Sequence, residues 1–254
     1  MMNAWFDRWR ARRHVQRSPY RLHLQELPAD LKAYWKRSVG EEFPGTPATD
    51  LFFVQAAEGL LTFFEAAIRR AAPCSLPSRA ADSVWHAWLR WDADSLTLYQ
   101  RRQFNGRVAH LKESALGEGA LARTLAGCRQ LEGIPLVGPR MPRLFGLDRR
   151  LRMPTGHGYY QVLKSGDIFY RALDGRGRGT GPLRPHQDLS IWALLAANLI
   201  SADMVWDIVR AGAYQQQKYM LGDRANWDVD FGGGGDGGGD GGGCGGGCGG
   251  GGGD

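Results

Sequence analysis

The sequence predicts a mainly α fold: a helical domain with one β-hairpin, a basic N-terminal helix and a disordered Gly-rich tail. Three observations carry that prediction. Apolar residues recur at steps of three and four from Leu31 to Leu131, the period of helices with one buried face. Residues 158–173 instead bring aromatic and β-branched residues together on either side of Lys164-Ser165-Gly166-Asp167, the pattern of a hairpin. The last 23 residues, Gly232 to Asp254, are 18 Gly, three Asp and two Cys, a composition that cannot build a core.

Each element has a local reason. Residues 1–22 hold Arg8, Arg10, Arg12, Arg13, Arg17 and Arg21 against one acid, Asp7. Trp5 and Trp9 stand four apart and share a face of a helix there, with arginines on the other sides. Pro28 suits the start of the next helix, which carries Leu31, Tyr34 and Trp35. The segment Glu41 to Thr49, with two prolines and a glycine, is expected to be a loop. Asp50 is expected to cap the strongest helix, whose stripe is Phe53, Ala57, Leu60, Phe64 and Ala67. Pro73 and Pro77 end it.

A third helix is expected from Ser78 to about Trp91 and a fourth, capped by Asp94, to Phe104, where Asn105-Gly106 stops it. Gly119 to Leu131 forms a fifth. Residues 133–142 hold three prolines and two glycines and mark a candidate boundary. A short helix with Leu144, Leu147 and Leu151 precedes the hairpin, and a basic loop, 174–179, which the sequence predicts to be mobile, follows it. Two last helices are expected near Asp188 to Leu199 and Ala202 to Ala211. The resulting division is 1–22 for the basic helix and 23–132 for the main helical domain. Residues 133–222 are a helical and hairpin region, within the same domain or beside it, and 223–254 are the tail.

Composition narrows the function classes. Without the tail's three acids, 32 Lys and Arg face 23 Asp and Glu. No run of about 18 consecutive apolar residues predicts a transmembrane segment, and residues 1–21 lack a secretory pattern. Cys74 and Cys128 stand apart in no zinc-like spacing and are expected to be reduced and packed. A cytoplasmic protein is the expectation. In the tail, Asp236, Asp240, Cys244 and Cys248 recur every fourth residue after triplets of glycine, which forbid a helix. The tail thiols Cys244 and Cys248 are open to three readings: a solvated tether, a soft-metal or redox role, and a substrate for modification.

The residues that could carry chemistry are Asp82, His86 and His110. Asp82 and His86 are i and i+4, so on a helix they stack on the flank of the stripe formed by Trp85, Trp88 and Leu89. His110 joins them only if the third and fourth helices form an antiparallel pair. Two imidazoles and one carboxylate suit zinc or iron. The same residues can also form a structural carboxylate–imidazole anchor or an acid–base pair. The Gly-x-Ser-x-Gly, HExxH, paired CxxC and phosphate-loop patterns are absent. His157, between two glycines, is expected to be a loop residue.

Asp82-x-x-Trp85-His86, followed by Tyr99, Phe104, Gly106 and His110, resembles the core motif of the glycine-rich domain-containing protein-like family. Its bacterial members often close with a similar Gly/Cys tail. The resemblance spans about 30 residues and the tail, and implies a helical domain without an assigned biochemistry. The chain departs from the pattern at Arg101 and Arg102, where the family tends to have Cys, and at Leu111-Lys112, where a Pro often follows the last His.

These observations lead first to a non-enzymatic interaction or scaffold protein with an unknown protein partner, its Asp82–His86–His110 cluster a polar anchor. A metal-binding protein or metal-dependent enzyme using that triad is the alternative. A third class is binding of an anionic surface, lipid or nucleic acid, through Arg8, Arg10, Arg12 and Arg13.

Overall fold

The computed structural model describes residues 2–138, 140–161 and 167–220. The helices are α1 (Met2–Arg17), α2 (Arg21–Gln25), α3 (Ala29–Glu42), α4 (Asp50–Arg70), α5 (Arg79–Phe104), α6 (Ala120–Leu131), α7 (Leu147–Leu151), α8 (Ile191–Ala196) and α9 (Ala202–Met220). A small antiparallel sheet is built from β1 (His157–Gln161), β2 (Ile168–Ala172) and β3 (Arg184–Pro185) in the order β1-β2-β3. The mainly α architecture and the hairpin are as the sequence predicts. The expected tail, with Cys244 and Cys248, lies outside the described residues.

The α4 helix is the central rod, because its apolar stripe is wide enough to be covered on several sides. Phe53, Ala57, Leu60, Phe64 and Ala67 are all buried, and the helix packs against α1, α5 and α6. Gly127 lets α6 approach closely: a Cβ there would lie 3.1 Å from the Cβ of Ala66 and 3.3 Å from its carbonyl oxygen. By length and composition α4 is the one helix among the described residues that could cross a membrane, yet 67% of that window is buried inside the protein.

The cap of α4 is Thr49 rather than Asp50. The Thr49 hydroxyl accepts from the Phe52 N–H at 3.2 Å, which frees the Asp50 side chain to turn toward α3. There Asp50 Oδ1 lies 3.0 Å from the ammonium groups of both Lys32 and Lys36, close enough for ion pairs although not aimed as hydrogen bonds. Two further orphan N–H groups of this helix, those of Asp50 and Leu51, donate to the Asp7 carboxylate at 2.6 and 3.2 Å. That contact docks α1 on the body.

The expected third and fourth helices are the two arms of α5. They meet at Asp92, whose backbone is extended (φ −165°, ψ 97°). Asp92, and not Asp94, caps the second arm by accepting from the Ser95 N–H at 2.8 Å. The arms double back on each other. Trp88 and Tyr99 have ring centroids 4.9 Å apart, whereas a straight helix would separate residues so spaced by about 16 Å.

The sheet pairs Tyr159 with Tyr170 and Gln161 with Ile168, and β3 adds a short edge that the sequence did not announce. Loop 174–179 is held in a turn: Asp174 Oδ1 accepts from the N–H groups of Arg176 and Arg178, each at 2.8 Å. α9 runs on past Ala211 to Met220, carrying Gly212 in its interior without a break. One hydrophobic cluster includes residues from Tyr20 to Val205 and so draws on both sides of the proline-rich stretch at 133–142.

Candidate metal centre

Helix α5 supplies Asp82 and His86 one turn apart. The third residue, His110, lies beyond the end of α5 on the returning chain rather than on a helix. Three features bring it back. Asn105 adopts a left-handed conformation (φ 53°), which turns the chain out of the helix. Gly106 sits against Ile68, where a Cβ would come within 2.8 Å of a side-chain methyl. Buried Gln100 then clamps the returning backbone, accepting from the Val108 N–H at 3.1 Å and donating to its carbonyl at 3.5 Å. Two residues later the His110 ring rests on the edge of buried Trp85, with centroids 4.5 Å apart.

The three sequence-predicted residues therefore converge. His86 Nε2 is 3.0 Å from His110 Nε2, His110 Nε2 is 3.2 Å from Asp82 Oδ1, and His86 Nε2 is 3.6 Å from the same oxygen. Ligands at about 2.1 Å from a metal stand about 3.4 Å apart in a tetrahedral site and about 3.0 Å apart at neighbouring octahedral positions. The observed separations span both. This triad is the one such group of His, Cys and acid side chains found among the described residues.

The surroundings orient the His86 ring. Glu42, the last residue of α3, accepts a hydrogen bond from Nδ1 of His86 with one oxygen and pairs with Arg90 through the other. A proton held on Nδ1 leaves Nε2, which faces His110 and Asp82, as the ring nitrogen that can ligate. Phe43, next in the chain, meets the His86 ring edge-on at 5.7 Å. A proton on His110 Nε2, or a cation held between the three atoms, can bridge them.

A cleft of about 840 Å³ opens beside the triad, with Asp82, Trp85 and His110 in its lining. The sheet contributes His157, Tyr159 and Tyr170, and the chain after it His186 and Asp188. His157 is the first residue of β1, not a loop residue, and its Nδ1 lies 3.1 Å from the Tyr170 hydroxyl. Burial pushes the Tyr159 hydroxyl well above the usual phenol range. Burial also lowers the His186 imidazole below its ordinary value, which favours the neutral ring.

One buried carboxylate aligns the two walls of the cleft. Asp148, on α7, accepts from the Ser78 hydroxyl at 2.6 Å and from the N–H groups of Arg79, Ala80 and His157 at 2.9 Å each. It caps the first turn of α5 and anchors the start of β1 at once. Neither Asp148 nor Glu42 carries any local signal in the sequence, since both act through tertiary contacts. Cys74 and Cys128 are free thiols, both buried, and burial raises both above the ordinary thiol range.

Arg8, Arg10, Arg12 and Arg13 lie on α1, whose docked face is formed by Asp7, Ala11 and His14 instead. Comparison of the chain with protein-family models, with curated proteins and with solved structures finds no match.

Proposed function

We propose that this is a metal-binding protein in which Asp82, His86 and His110 hold a zinc or iron ion at the edge of the cleft. The observation that carries this reading is the convergence of two imidazole nitrogens and a carboxylate oxygen within 3.6 Å, with Glu42 orienting one ring from behind. A carboxylate–histidine–metal arrangement of this kind raises ligand basicity and fixes the ring. Three protein ligands leave coordination positions open, the property that separates catalytic from purely structural zinc sites. The adjoining cleft gives a small molecule access to such a position, and its Tyr and His side chains supply hydrogen-bonding groups. A metal-dependent reaction on that molecule is the activity this reading implies.

The experiment is metal analysis of the full chain purified without added metal, by native and denaturing mass spectrometry and elemental analysis. One zinc or iron per chain, lost in His86→Ala and in His110→Ala, is the expected result. A wild-type protein that takes up neither zinc nor iron on titration, with His86→Ala reducing stability alone, would establish the triad as a polar anchor.

A further inference from the structure

We propose that the outward face of α1 binds anionic phospholipid at a membrane surface, an interaction independent of the metal site. The helix has two faces with different tasks. Asp7, Ala11 and His14, at helical spacing, turn to the body. Asp7 accepts the N–H groups at the start of α4, Ala11 is buried, and His14 pairs with Glu58. The opposite face has Trp5 and Trp9 at its centre and Phe6 toward one flank, and these three rings are 57%, 46% and 49% exposed. The tryptophans therefore do not dock the helix on the protein, as a purely structural role would require.

Helical geometry places Arg8 and Arg12 on one side of the two tryptophans, and Arg10, Arg13 and Arg17, with Phe6 among them, on the other. Arg13 also stacks on Trp9, its guanidinium carbon 5.3 Å from the ring centroid. The only acid on the helix, Asp7, is consumed by the docking contact, so the exposed face carries basic charge alone. Aromatic rings flanked on both sides by arginines match the boundary between headgroups and acyl chains. The rings enter the boundary while the guanidinium groups stay at the phosphates. A nucleic-acid duplex would satisfy the arginines but offers no apolar layer for the two tryptophans at the middle of the face and the phenylalanine beside them.

Co-sedimentation of the full chain with vesicles tests this, comparing phosphatidylcholine alone with a phosphatidylcholine–phosphatidylserine mixture at about 0.1 M and about 0.5 M salt. Binding should be at least tenfold stronger to the anionic vesicles and largely lost at the higher salt, given roughly fivefold per arginine near such a surface. The double variants Trp5→Ser/Trp9→Ser and Arg12→Gln/Arg13→Gln should each lose binding while keeping the wild-type thermal midpoint, since all four side chains point away from the core. Equal binding to neutral vesicles, or no vesicle binding at either salt, would overturn the proposal. So would an unchanged affinity in the tryptophan double variant. Salt-sensitive binding to duplex DNA that survives loss of both tryptophans, without vesicle binding, would assign the face to nucleic acid instead.

Discussion

Glu42 and His86 are 44 positions apart in the chain, yet the carboxylate of one holds the Nδ1 proton of the other. The end of α3 therefore dictates which nitrogen on α5 is available to a ligand. His86 Nε2, left with its lone pair, faces His110 Nε2 across 3.0 Å. Glu42 is itself tied by Arg90, so the orienting group is restrained at both oxygens.

Glu42→Gln should accordingly weaken metal binding without abolishing it. The amide can still accept from Nδ1 but no longer adds negative charge behind the ring. Loss of such a supporting group lowers metal affinity by roughly 10–100-fold, while removing His86 itself should eliminate the site. Calorimetric titration of zinc into the metal-free variants measures both. Equal affinities in wild type and Glu42→Gln would separate Glu42 from the site.

Asp148 makes a second prediction, on stability. Its carboxylate answers three backbone N–H groups and one hydroxyl in a buried setting. Asp148→Ala leaves those donors without partners, and each unsatisfied buried group costs about 1–3 kcal/mol. A loss of about 3 kcal/mol or more in urea denaturation is expected. Gly156→Ala should produce a milder version of the same defect, because its Cβ would lie 2.8 Å from Asp148 Oδ2 and 3.0 Å from the Met153 Cβ.

These two carboxylates mark the boundary of what the sequence makes legible. The α4 stripe and the Asp82–His86 pair depend on spacing within one helix, so period alone reveals them. His110 is legible as a residue type, but its delivery depends on the reversal at Asp92, the left-handed Asn105 and the Gln100 clamp. Glu42 and Asp148 act across 44 and about 70 positions, where no periodicity operates. The shared face of Trp5 and Trp9 follows from a four-residue step. Which way that face points does not, because Asp7 decides it by capping α4 in space.

A third prediction contrasts two glycines of one loop. Gly177 has φ +69°, and a Cβ there would lie 2.2 Å from the Arg152 carbonyl carbon and oxygen. Both the left-handed backbone and the contact with rigid main chain oppose any side chain. Gly177→Ala should therefore destabilise the protein by about 2 kcal/mol or more. Gly175 has nothing within 4 Å of its Cβ position, so Gly175→Ala should change stability by less than about 0.5 kcal/mol. Thermal midpoints of the pair, measured side by side, test the packing of this loop on α7.

The last prediction concerns acid. Burial by itself would raise the Asp50 carboxyl, but Lys36 and Lys32 outweigh it and hold the group below its ordinary value. A carboxylate depressed in the folded state binds its proton more readily once unfolded. Its contribution is thus fully present above the unfolded pKa of about 4, and is lost as pH falls through the lower folded value. Asp50→Asn removes the contribution at every pH. At pH 7 the variant should be less stable by about 1 kcal/mol, the scale of ion pairs to partly exposed lysines. As pH falls from about 4 through that lower value the two proteins should converge. Glu58 is likewise depressed: its burial is outweighed by the hydrogen bond and charge of His14, so the variant keeps some acid sensitivity. Urea denaturation of both proteins between pH 7 and pH 3 gives the difference directly. A gap that stays constant across that range would mean that Asp50 holds α3 to α4 by shape and not by charge.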